Sequence, residues 1–245
     1  MSSDTITGAV FAAVTDWSQP LLTYYDHATG ERTELSGATL GNWAAKSANF
    51  FVDELGLGPG DEVLVDLPEH WQTAAILLGA WWAGAHVRLP GPDGDATAID
   101  PTGLGAAITS AGRIDDHDGV DELLVASLDP FAMGVRDLPV GVTDFATAVR
   151  VHGDQYSPSQ TPTGPVLDGE STDTVLAAAR DAAGADDIVA GARVLSARPW
   201  HDSAGVIANL LAPLVVGASL VAVTNPAEDR LAGVADTERA TISLY

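Results

Sequence analysis

Between Ser36 and Leu89 the chain repeats one pattern, a helical run, a glycine stop and a short apolar strand, and this limits its folds more than any other feature. Leu40, Trp43, Ser47, Phe50/Phe51 and Leu55 recur at three- and four-residue steps after a Ser36 N-cap, so an amphipathic helix is expected up to Gly56. The turn Gly58-Pro59-Gly60-Asp61 leads into a strand over Glu62–Leu67, ended by Pro68. Glu69–Ala83 reads as a largely apolar helix closed by Gly84, and His86–Leu89 as the next strand. Helix, glycine and strand at such short spacing mark βαβ units, hence an α/β fold with a mostly parallel sheet and helices on both faces.

The flanks extend the pattern. Leu21–Tyr25 and Arg32–Leu35 read as a hairpin around Asp26-His27-Ala28-Thr29-Gly30. Pro101–Ala111 reads as a helix, Glu122–Leu128 as a strand, Asp144–His152 as a short helix and Gln155–Gly169 as a Pro/Thr/Ser loop. Then come a helix Thr172–Ala183, a strand Arg193–Ala197, a buried helix Ser203–Val216 and strands Ser219–Val223 and Thr241–Tyr245. No internal repeat or long linker breaks the series. One compact unit over 1–245 is expected, with sub-sheets at about 1–155 and 185–245 and the loop 155–169 between them.

Charge narrows the function. Of 245 residues, 34 are acidic and 11 basic, a formal charge of −23, so nucleic acid and anionic lipid are excluded as partners. No cysteine supplies a nucleophile or a thiolate metal ligand, and any lysine chemistry would rest on Lys46 alone. Met1–Trp17 has no basic stretch ahead of its apolar run, so it is a poor signal peptide. Ala204–Val223 carries no charge over a span long enough for a membrane, but Asn209, Pro213, Gly217 and Ser219 punctuate it as buried helix, turn and strand. A soluble cytoplasmic protein is expected.

Several segments resemble one enzyme superfamily. Leu22-Thr23-Tyr24, Gly41-Asn42-Trp43-Ala44, Leu55–Val63, Leu67-Pro68 and Leu77–Ala85 resemble the start of adenylate-forming enzymes. These are the acyl-CoA synthetases, the adenylation domains of nonribosomal peptide synthetases and the luciferases. Arg193–Pro199, Gly205, Leu210–Leu214 and Gly217–Val221 resemble a later stretch of the same large domain, with Thr241–Tyr245 as the strand after it. The chain is thereby similar to a short actinobacterial family of AMP-binding relatives of unknown function. The resemblance implies the N-terminal portion of the adenylate-forming fold.

Departures from that superfamily change the expected chemistry. Its phosphate loop is rich in Ser, Thr and Gly and ends in Pro-Lys-Gly. The matching place here, Ser157–Pro165, has three prolines, one glycine and no following lysine, so three backbone donors are gone. The superfamily's aromatic-His segment survives as Trp200-His201-Asp202, with the His one place out of register. The adenine segment, the ribose-binding Asp and the C-terminal catalytic Lys have no counterpart in this sequence. The expectation is therefore no catalytic residue and no obligatory cofactor, with ATP, AMP or CoA left only as candidate ligands. The remnant crevice comprises Thr161, Thr163, Gly164, Trp200, His201 and Asp202.

Plainer readings compete with each candidate. Gln155–Gly164 reads first as a surface loop of turn-forming residues, and Trp200-His201-Asp202 as a packed Trp beside a capping Asp. His201, Asp202 and Ser203 are the residue types of a hydrolytic triad, but sequence neighbours rarely converge in space and no Gly-x-Ser-x-Gly elbow is present. Asp115-Asp116-His117-Asp118 suggests solvated acids on a turn rather than a metal site, and Asp93-Gly94-Asp95 fails the calcium-loop pattern. Trp71, Trp81 and Trp82 read as core, and Lys46 as a solvated surface charge. The functional expectation is a binding module for an acyl or nucleotide-like small molecule. The alternatives are an interaction protein, with a homodimer or partner protein covering Ser203–Val216 and Thr241–Tyr245, or a ligase part completed by another chain.

Overall fold

A computed structural model describes residues 5–91, 95–96, 99–158 and 164–245. The strands form two sheets. The first has five strands, β1 (Pro20–Asp26), β2 (Glu31–Ser36), β10 (Arg193–Ser196), β11 (Ser219–Thr224) and β12 (Ile242–Leu244), in the order β12-β10-β11-β1-β2. The second runs β7-β6-β5-β3-β4-β8-β9 and contains β3 (Glu62–Asp66), β4 (His86–Arg88), β5 (Leu104–Ser110), β6 (Leu123–Ala126), β7 (Val142–Asp144), β8 (Pro165–Leu167) and β9 (Glu170–Ser171). All pairings are parallel except the hairpins β1–β2 and β8–β9. The fold is the α/β architecture expected.

Between the sheets lie α2 (Gly37–Asp53) and α3 (Trp71–Ala83), with α1 (Ile6–Ala12) beside them. Every residue of α3 is buried, its only polar side chains, Gln72 and Thr73, bonding Asp129 O and Pro68 O, and the helix touches β1 of one sheet and β3 of the other. Ser36 caps α2 by accepting from Thr39 N at 3.2 Å, and Gly84 ends α3 in the left-handed region at φ +89°. Gly79 lets α2 and α3 touch, since a β-carbon there would lie 2.4 Å from Ser47 Cβ.

Three expectations are corrected. The sheets do not divide at 155: β1 and β2 cross over to join β10–β12, while β8 and β9 complete the sheet of β3–β7. Partner choice among strands is long-range, and Leu22 pairs with Leu220, nearly the whole chain away. Pro101–Ala111 is not a helix but contains β5; its run Ala106-Ala107-Ile108 is buried on both faces, so no alternation betrays a strand. The loop 155–169 contains β8, and Asp168 (φ +43°) with Gly169 (φ +93°) makes a two-residue type I′ turn into β9.

The remaining helices are α4 (Phe145–Val149), α5 (Thr172–Ala185), α6 (Ser203–Gly205), α7 (Ala212–Val215) and α8 (Glu228–Glu238). A π-helical stretch, Val206–Leu211, joins α6 to α7, so 203–215 is one helical rod. Val206, Leu210, Leu211 and Leu214 of this rod are buried, Ile207 and Val216 are partly buried, and α5 and α1 pack on it. Much of the apolar face expected to be open on Ser203–Val216 is thus covered within the chain, and β12 is the end strand of its sheet. No helix among the described residues is long and apolar enough to cross a membrane.

Candidate functional site

Parallel strands from both sheets end on one side of the molecule, where open α/β sheets place ligands. There β1, β10 and β11 of the first sheet meet the segments after β3 and β6 of the second, leaving a cleft of about 460 Å³. Its apolar wall includes Tyr24, Leu128, Pro199, Trp200 and Val223, and its polar wall Asp26, Glu31, Glu69, His70, Thr224 and Asn225.

Each polar group is placed by local structure. The Asp26 carboxylate closes the β1–β2 turn, accepting from Ala28 N (2.8 Å), Thr29 Oγ1 (2.9 Å) and Asn225 Nδ2 (2.9 Å). Burial opposes its ionisation, but these hydrogen bonds win and hold it below the usual carboxylate range. Tyr24 donates to or accepts from Thr224 Oγ1 at 2.8 Å. Burial pushes the Tyr24 phenol up to about 12, and Asp26, Glu31 and Glu69 add to the rise, which marks their convergence on one spot. Glu31 is raised by burial as well.

His70 caps α3, its Nδ1 accepting from Gln72 N at 3.1 Å, and its ring meets Tyr24 edge-on with centroids 4.7 Å apart. Burial lowers its pKa to about 4, so it stays neutral near pH 7. Arg198 is the one basic side chain among the lining residues, and it is paired with Asp186 at 2.7 Å. Leu128 on the rim holds φ +52°, an unusual conformation for a bulky residue.

The six sequence candidates separate here. Trp200, only 4 % exposed, lines the cleft and donates its backbone N–H to Glu69 Oε1 at 3.0 Å. His201 Nδ1 sits 3.3 Å from the same oxygen but is not among the cleft residues. Asp202 is occupied as the N-cap of α6, accepting from Gly205 N at 2.7 Å. Gly164, at φ +105°, leads into β8 and is not among the cleft residues. Thr161 and Thr163 lie outside the described residues. Asn209 donates to Pro199 O at 2.6 Å and so fixes the Trp200 segment from the π-helical turn.

The other constellations resolve structurally. His201, Asp202 and Ser203 point to three different partners: Glu69, Gly205 and Asp168. His117 is buried on Asp66 at 2.8 Å while Asp116 pairs with Arg113, and the described residues hold no group able to bind a metal. Of Asp93-Gly94-Asp95, the first two lie outside the described residues. Trp71, Trp81 and Trp82 are core. Lys46 is not merely solvated: Nζ donates to His152 O at 2.5 Å and pins the end of α4. Sequence reasoning missed Tyr24, Asp26, Glu31, Glu69 and His70, because nothing in their spacing announces that two sheets converge there.

No family model matches the chain. A Mycobacterium tuberculosis protein described as a TIGR03089 family protein is 44 % identical over 246 residues, spanning 97 % of each chain. Among solved structures, an acyl-CoA synthetase of Brucella canis matches 98 % of this chain and 46 % of its own, with TM-score 0.76 and 18 % identity. A benzoate CoA ligase of Burkholderia xenovorans (TM-score 0.71, 17 % identity) and a fatty acyl CoA synthetase of M. tuberculosis (0.69, 17 %) each match 98 % of this chain and 49 % of theirs. The chain thus spans about half the length of the solved structures it matches, and the likeness is to the N-terminal portion of their fold.

Proposed function

The chain belongs to the TIGR03089 family, and from that premise we propose that it is a small-molecule-binding module built on the first part of the adenylate-forming fold, which does not itself form adenylates. The observation that carries this reading is the cleft: about 460 Å³, walled by buried Trp200 and Tyr24, and lying where strands of both sheets end. Its size and aromatic wall suit an acyl or nucleoside-like body.

Charge argues against a triphosphate. Asp26, Glu31 and Glu69 face the cleft, and Arg198 is already paired with Asp186. A phosphate 4 Å from one unpaired carboxylate is repelled by about 4 kcal/mol at an effective dielectric of 20. Lys46, the chain's single lysine, is held by carbonyls beside α4.

Two measurements test the proposal together. Thermal shifts with a panel of nucleosides, acyl amides and amines should show one stabilising class, worth about 2.7 kcal/mol at 100 times Kd, with a matching change in Trp emission. ATP–pyrophosphate exchange with carboxylic acids should stay at background. Exchange above background by the purified chain would overturn the proposal.

A further inference from the structure

The cleft's polar wall has an unspent acid beside an unspent donor. Asp26 is committed to Ala28, Thr29 and Asn225, and Glu69 to Trp200 and His201. Glu31, whose Oε1 accepts from Thr33 Oγ1 at 2.7 Å, is the more buried of the two glutamates, its side chain 8 % exposed against 17 % for Glu69. Asp26 and Asp129 both act on Glu31 electrostatically, and the one arginine among the cleft-lining residues, Arg198, is paired with Asp186.

His70 stands next to Glu31. Because Nδ1 accepts from Gln72 N, the neutral ring carries its proton on Nε2. Nε2 is buried without a hydrogen-bond partner among the described residues; Glu31 Oε1 lies 3.5 Å away, and the His70 side chain is 4 % exposed. A buried donor left unmade is costly, and the neutral ring offers no counter-charge to the surrounding carboxylates. The two deficits are adjacent, so one ligand group next to another answers both.

Resting on the reading of the cleft as a binding site, we propose that its ligand is a small amino alcohol. The ammonium draws Glu31 inward beside Asp26, and the neighbouring hydroxyl oxygen accepts the Nε2–H of His70 that Glu31 uncovers. The apolar body lies against Trp200 and Tyr24. No bond is made or broken.

The test is calorimetric titration of the full chain with four probes: 2-amino-1-phenylethanol, 2-phenylethylamine, 1-phenylethanol and ATP. The amino alcohol should bind about tenfold more tightly than the amine that lacks oxygen, while the alcohol and ATP give no measurable heat. Binding should weaken with added salt and fall at least about tenfold in Glu31→Gln. In His70→Asn, which keeps a capping side chain, the first two probes should become equal. Alcohol or ATP binding as tightly as the amino alcohol would overturn the cationic assignment and leave the cleft standing as a site. If none of these four binds, and no nucleoside or acyl amide changes Trp emission either, the cleft reading falls with it.

Discussion

Glu69 accepts the backbone N–H of Trp200 across 131 residues of sequence, Oε1 to N at 3.0 Å, and this contact ties the end of β3 to the segment after β10. The acceptor sits on one sheet's side of the cleft and the donor on the other's. Both residues line the cleft, so the bond joins its two walls.

Replacing Glu69 by Ala therefore leaves the Trp200 N–H without its partner. A loss of about 1–3 kcal/mol in urea unfolding is expected, with a red shift in Trp emission as water reaches the indole. Glu69→Gln keeps an acceptor of the same length and should cost less than half as much. Equal costs for the two variants would show that the bond contributes nothing.

His70 makes stability depend on pH with a definite sign. Burial holds its native pKa at about 4 against 6.5 for the free group, so between those values the unfolded chain binds a proton that the native one refuses. Its contribution is complete above pH 6.5 and is lost as pH falls, by roughly 3 kcal/mol at pH 4. Glu31, raised by burial, acts in the opposite sense, so the comparison must be with His70→Asn over the same range. Between pH 6.5 and pH 4 the wild-type chain should lose roughly 3 kcal/mol relative to His70→Asn, so any advantage it holds near neutral pH shrinks on acidification; a constant difference would refute it.

Gly79 is fixed by the approach of α2 to α3. A β-carbon there would stand 2.4 Å from Ser47 Cβ and 3.0 Å from Ala44 O. Gly79→Ala should destabilise by about 1–3 kcal/mol despite alanine's better helix propensity. Adding Ser47→Gly to it should recover part of the loss, which a double-mutant cycle measures.

Glu238 is the hub that fastens α8 to the first sheet. Burial alone would raise its pKa, but hydrogen bonds from Tyr25, Arg193 and Arg32 outweigh that and lower it. Glu238→Gln should cost about 3 kcal/mol near neutral pH. Since the native carboxylate is depressed, this advantage is present above pH ~4.5 and disappears as pH falls through the native value, so the two chains should converge in acid. Divergence in acid would contradict the assignment.

Elements with a strong local signal were legible in the residues. The Ser36 cap, the glycine stop at Gly84 and the three-four spacing of α2 each act within one or two turns, so they read directly. The helix read over Pro101–Ala111 failed because a strand buried on both faces loses the alternation that identifies it. Trp200 was reached through the resemblance, yet its neighbours His201 and Asp202 are not among the cleft residues and instead meet Glu69 and cap a helix. Asp168-Gly169 carried a hairpin signal that the surrounding Pro/Thr/Ser composition hid.

The sequence by itself determined the capped and glycine-stopped helices, the acidic charge and the lack of thiols, because these follow from composition and short-range spacing. Tertiary structure alone decided that β1 pairs with β11 and that Tyr24, Glu31, Glu69, His70 and Trp200 share one cleft. Strand pairing and side-chain convergence are set by burial over distances of up to two hundred residues. No local pattern encodes which of several equivalent apolar strands will be neighbours.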